Sequence, residues 1–285
     1  MMGKNVAVIG SGTMGCGIAH AALAAGNSVI LVGHSEEGIA NGKLRLNASL
    51  DKAVAKGAMS AEGKLSAMGK ALFSYNIRDV KDCEIIIEAI TENIKEKEDV
   101  ISKIESYSRE DALIATNTSA IRIDTLSSAL QNKTRFIGLH FFNPVPVMKL
   151  VEVVKGKETS PDTIVKANAF IKDMGKTAVD INDYPGFIAN RILMPYINEA
   201  AKAFGDGVAS REGIDAIAKM GFNHPMGPLA LADLIGIDVC KDIMDVIYEQ
   251  TADPAFKAAE LLSRMVADGK LGRKAGRGFY EYAKS

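Results

Sequence analysis

A chain of 285 residues, 47% hydrophobic and 24% charged, has the length and composition of one large globular domain or two of moderate size. Its formal net charge of −1 gives no global field to attract nucleic acid, so an anionic ligand has to be held by a local basic patch. Three cysteines, with no CxxC or Cys/His cluster, exclude a disulfide framework and a zinc site, and no apolar run reaches the roughly 18 residues of a membrane span.

The opening MMGKNVAVIG runs straight into a strand pattern without a leader signature, so a cytoplasmic protein with no membrane or nucleic-acid partner and no metal is expected. Short β-branched runs at Val6 to Ile9, Val29 to Val32, Glu84 to Ile87, Leu113 to Thr116 and Phe136 to His140 alternate with helical patterns at Met14 to Ala25, Glu36 to Lys56 and Lys95 to Ser106. That alternation predicts βαβ units and a mainly parallel sheet. Ala48 to Lys70 is too long for a simple crossover and reads as an inserted helical hairpin. Leu150 to Val154 is a further strand, Pro161 to Met174 a helix and Thr177 to Ile181 a short strand.

The breaker cluster Asn182 to Gly186 then ends the strand patterns, and Ile188 to Ala203, Arg211 to Lys219, Ile237 to Tyr248 and Ala255 to Ala267 recur at helical spacing. The expected organisation is α/β: a Rossmann-type domain over residues 1–184, then an all-α domain over 185–285.

Gly10, Gly12 and Gly15 form GxGxxG between the first strand and the first helix, the context in which that pattern marks a dinucleotide site. Gly10 permits the turn, Gly12 the approach of backbone to pyrophosphate and Gly15 close helix–strand packing, with Thr13 and Met14 at the helix N-terminus facing the phosphates. Cys16 is expected to pack behind the loop. NAD sites usually end the second strand in an acid that binds the ribose; here the strand ends in Gly33-His34-Ser35. These three leave space, possible positive charge and a hydroxyl for a 2′-phosphate. Glu36 or Glu37 could instead hold the ribose, and no arginine adjoins the strand end, so NAD and NADP both stand. Gly33 is the expected switch between them.

Asn117-Thr118-Ser119, Gly138-Leu139-His140-Phe141-Phe142-Asn143-Pro144 and Met148-Lys149-Leu150-Val151-Glu152-Val153 closely resemble the 3-hydroxyacyl-CoA dehydrogenase family, especially its bacterial 3-hydroxybutyryl-CoA branch. The resemblance continues through Pro185-Gly186-Phe187, Asn190-Arg191, Asn223-His224-Pro225-Met226-Gly227-Pro228 and the terminal Gly272-Arg273-Lys274 to Gly278-Phe279-Tyr280. It implies an acyl-CoA substrate, a helical domain that makes a homodimer or higher homo-oligomer, and a site at the cleft between the domains. His140 matches the catalytic histidine, Glu152 its orienting carboxylate, and Ser119 and Asn190 the groups that hold the 3-oxygen.

A histidine suits proton exchange near neutral pH, although His140 flanked by Leu139 and Phe141 also fits a core position. Glu152, inside an apolar strand, either faces solvent by alternation or needs a buried partner. Glu92, Lys97 and Asn117 match residues on the cofactor side, and Lys97 could equally be a solvated helix charge. Ser49, Lys52 and Lys56 share one helix face and, with Asn143, match substrate contacts, the lysines facing CoA phosphates. His224 is expected to be structural, in a turn shaping the acyl end. Two rivals remain: a same-fold dehydrogenase of a non-CoA hydroxy acid such as a sugar acid, and a dinucleotide-binding protein without turnover.

Overall fold

The computed structural model describes residues 3–283, and the chain divides into two compact units, one ending at Asp183 and the other beginning at Tyr184. The first unit is built on an eight-stranded sheet. Its strands are β1 (Asn5–Ile9), β2 (Ser28–Val32), β3 (Ala71–Ser74), β4 (Ile85–Glu88), β5 (Leu113–Thr116), β6 (Phe136–Phe141), β7 (Leu150–Lys155) and β8 (Thr177–Asn182). They lie in the order β3-β2-β1-β4-β5-β6-β7-β8. Every neighbouring pair is parallel except β6 and β7. The central strands are buried on both faces, as Val6, Val8, Ile86 and Ile87 are, which is why they read as unbroken apolar runs.

The helices of this unit are α1 (Thr13–Ala24), α2 (Glu36–Ala55), α3 (Ala61–Gly69), α4 (Ile94–Tyr107), α5 (Ile123–Ser127) and α6 (Pro161–Asp173). Helices α2 and α3 are the expected hairpin, and they deliver the chain to β3 at the sheet edge. Ser35 and Ser60 cap them, each Oγ accepting from the amide of Gly38 or Gly63. Strand β3 and helix α5 escape the sequence patterns because they are short, and β3 is only half buried. Cys16 does lie behind the glycine loop, its thiol donating to the carbonyls of Ser11 and Gly42. Burial pushes that thiol up to about 11, so it is a packing residue and not a nucleophile.

The second unit is helical: α7 (Ala189–Gly205), α8 (Arg211–Ala216) with a following π turn at Ile217–Gly221, α9 (Pro228–Ile235), α10 (Ile237–Thr251) and α11 (Glu260–Ala267). Its core gathers Met194, Ile197, Leu229, Met244, Ile247 and Leu262. Helix α9 is apolar nearly all round and so shows no period; Pro228 at its first turn starts it. The helix expected from Ala255 begins only at Glu260. The buried side chain of Asn198 donates to the carbonyls of Ala255 and Lys257 and accepts from the amide of Ala259. Those bonds keep 255–259 out of the α-helix, with a single 3-10 turn at Pro254–Phe256, a tertiary demand that overrides propensity.

Candidate active site

Gly10 has φ +118°, and a Cβ there would run into the carbonyl of Ala89, so only glycine makes this turn. A Cβ on Gly15 would strike the carbonyl of Gly10, whereas one on Gly12 would meet no heavy atom within 4 Å. Gly12 is the N-cap of α1 and offers no side-chain acceptor, and the first turn holds no acid. The amides from Thr13 onward are thus presented to an anion at the positive end of the helix. These features fit a dinucleotide pyrophosphate.

The end of β2 differs from its sequence reading. Gly33 is not an open position, because a Cβ would lie 3.0 Å from the amide nitrogen of Ile39 and 3.2 Å from Ser11 Oγ. Its amide is also fixed, donating to Ser74 at 2.9 Å. A side chain at Gly33 must therefore push Ile39 or Ser11 aside by a few tenths of an ångström. An arginine does reach this region: Arg45 Nη1, brought round by α2, donates to the carbonyl of Ser11 at 3.2 Å. His34 is exposed, and so are Glu36 and Glu37 on the first turn of α2.

Near the carboxyl end of β6 two of the catalytic candidates, His140 and Glu152, come together. The antiparallel register makes His140 and Glu152 direct partners, and His140 Nδ1 lies 2.7 Å from Glu152 Oε2. Both are buried, with 6% and 3% exposure, so the solvated-face alternative for Glu152 is excluded and each supplies the partner the other needs. The ring of Phe142 flanks the imidazole at 4.6 Å. Asn117 Oδ1 accepts from the amide of Phe141 at 3.0 Å, tying the end of β5 to the strand that carries His140.

Ser119 stands on the loop after β5, and Glu92 shapes that loop. Glu92 Oε1 accepts from Thr118 Oγ1 and from the amides of Ser119 and Ala120. Its other oxygen lies 3.5 Å from Lys97 Nζ. Lys97 itself is neither a solvated charge nor a surface contact, being 0% exposed. Its ammonium donates to both oxygens of Glu88 at 2.8 and 3.1 Å and approaches the Asn117 carbonyl at 3.4 Å. Glu88, at the end of β4, also accepts from Thr116 Oγ1 and the amide of Ile90. Glu88, at the end of an apolar strand run, carries no motif or spacing that singles it out. Lys97 thus ties together the loops after β4 and β5.

On α2, Ser49 Oγ lies 2.7 Å from His20 Nδ1. Lys52 and Lys56 are exposed; among the described residues no ion pair engages either, whereas nearby Lys64 pairs with Asp51. Asn143 is exposed just beyond β6. In the helical unit, Asn190 is buried in the first turn of α7. His224 Nδ1 lies 3.1 Å from Tyr196 Oη. Among the described residues no group of three His, Cys, Asp or Glu could hold a metal ion, and no helix is long and apolar enough to cross a membrane.

Two family models match the chain, one described as 3-hydroxyacyl-CoA dehydrogenase, NAD binding domain, over residues 5–184 and one as the C-terminal domain of the same enzyme over residues 186–282. A 3-hydroxybutyryl-CoA dehydrogenase of Clostridioides difficile is 44% identical over 279 residues, covering 98% of this chain and 99% of the relative. The human mitochondrial hydroxyacyl-coenzyme A dehydrogenase is 40% identical over 288 residues, covering 98% of this chain and 91% of its own. Among solved structures, the (S)-3-hydroxybutyryl-CoA dehydrogenase of Ralstonia eutropha superposes with a TM-score of 0.94 at 44% identity, covering 99% of both chains.

Proposed function

Because the chain belongs to the 3-hydroxyacyl-CoA dehydrogenase family, we propose that this NAD(P)-dependent oxidoreductase interconverts (S)-3-hydroxybutyryl-CoA and acetoacetyl-CoA. The observation that carries the reading is the buried His140–Glu152 pair at 2.7 Å. With Nδ1 committed to the carboxylate, proton exchange with the substrate's 3-oxygen falls to Nε2. Glu152 fixes the tautomer and stabilises the imidazolium formed when His140 takes the hydroxyl proton. In reduction the protonated ring returns that proton. Ser119, on the loop pinned by Glu92, is assigned to hold the 3-oxygen, and the family resemblance assigns Asn190 the same task. When bound, the nicotinamide supplies the hydride acceptor or donor.

The test is reduction of acetoacetyl-CoA with NADH and NADPH, followed at the nicotinamide absorbance. Turnover on the thioester is expected. Turnover only on a free hydroxy acid, or none, would reject the reading. The CoA phosphates are assigned to Lys52 and Lys56, and the double variant Lys52→Ala/Lys56→Ala is expected to raise KM for acetoacetyl-CoA by about 10-fold with kcat at saturation nearly unchanged, because phosphate contacts bind ground and transition states alike. An unchanged KM would move the phosphate clamp elsewhere. Self-association into a homodimer or higher oligomer is assigned to the helical unit, which exposes Ile217, Met220 and Phe222, an apolar stretch better suited to an interface than to water. A cytoplasmic location goes with this reading.

A further inference from the structure

We propose that the end of β2 is a subsite for the 2′-phosphate of NADP(H), built by His34, Ser35 and Arg45, and that the enzyme prefers NADP(H) to NAD(H). The inference rests on the dinucleotide reading above and names which dinucleotide is taken. Three observations carry it.

First, the position where a ribose-binding acid belongs is Gly33, which carries no carboxylate to repel a 2′-phosphate and is closely packed against Ile39 and Ser11. Second, contacts link the polar groups around it into one patch. The His34 ring and Ser35 Oγ both lie within about 3.1 Å of the place a Cβ would take on Gly38. The Gly38 carbonyl accepts from Ser11 Oγ at 2.9 Å, and the Ser11 carbonyl accepts from Arg45 Nη1 at 3.2 Å. Third, Ser11 stands between Gly10 and Gly12, so Arg45 is moored at the phosphate-binding loop itself. A guanidinium has five N–H donors, and the bond to Ser11 uses one, leaving a fork that suits a phosphate. Ser35 Oγ accepts from the Gly38 amide, so its own proton is available to donate. Glu36 and Glu37 are the opposing charges, and no bond draws either carboxylate over the loop among the described residues; they are exposed on the first turn of α2.

Adenosine 2′,5′-bisphosphate and 5′-AMP differ only by the 2′-phosphate, and calorimetric titration of each into the protein reads the subsite without catalysis. The bisphosphate is expected to bind at least about tenfold more tightly, a difference that charge-assisted bonds to one phosphate readily supply. The variant His34→Gln/Arg45→Gln should bring the two affinities within about twofold by removing those bonds, the larger loss falling on the bisphosphate. Arg45→Lys should keep part of the preference, since it retains the charge but not the fork. Equal binding of the two nucleotides by the parent protein overturns the subsite, as does a double variant that keeps the preference. If such a protein still reduces acetoacetyl-CoA with NADH, the dehydrogenase reading stands and only the 2′-phosphate site falls.

Discussion

His140→Gln is expected to lower kcat for acetoacetyl-CoA reduction by about 10²-fold or more, the usual range for loss of a positioned general acid. The nucleotide Kd should change little. Glutamine keeps most of the volume of the ring and can still hydrogen-bond to Glu152, so the buried carboxylate is not left alone. What disappears is a group that can carry a proton at neutral pH. Glu152→Gln should also slow turnover, because a neutral amide no longer stabilises the imidazolium or fixes its tautomer. The two residues touch at 2.7 Å and act on one proton, so the double variant should lose far less than the product of the single losses. Additive losses would show that Glu152 works apart from His140, and near-normal kcat in His140→Gln would remove the dyad from the reaction.

The physical basis of the pairing also explains how much of this protein can be read from its sequence. The strands around the glycine loop announce themselves because both faces are buried, and the change of texture after Asn182 marks where strands give way to helices. Alternation along β7 could not place Glu152, since a carboxylate in a strand faces solvent or a partner, and choosing between them requires the antiparallel register with β6. That register is set by two strands distant from local pattern. Arg45 was likewise invisible: it lies well along α2 from Gly33, and only the path of the helix returns it to Ser11. Asn198 keeps 255–259 out of the α-helix by three hydrogen bonds, although the residues there have helical spacing. In each case the decisive partner is remote in sequence, and a propensity or period carries no information about it.

Lys97 is the sharpest example, and its removal is expected to have the largest effect on stability. In the sequence it stands among charges at the start of a helix, Lys95-Glu96-Lys97-Glu98, where a solvated side chain is the natural expectation. In the fold its ammonium and the Glu88 carboxylate are both wholly removed from solvent and joined at 2.8 and 3.1 Å. Lys97→Met keeps the length of the side chain and deletes the charge, leaving Glu88 with Thr116 Oγ1 and the Ile90 amide but without a counterion. Breaking a buried pair in this way costs about 3–5 kcal/mol, because the remaining charge stays desolvated. For a domain of this size each kcal/mol moves Tm by roughly 2–4 °C, so a fall of about 6–20 °C in a thermal melt is expected. The double variant Lys97→Met/Glu88→Gln, which removes both charges, should recover a large part of that loss, since the desolvation penalty of the carboxylate goes with it. A single variant that melts with the parent would mean that the pair contributes nothing as an ion pair, and a double variant less stable than the single one would show that Glu88 acts through its bonds to Thr116 and Ile90 and not through Lys97.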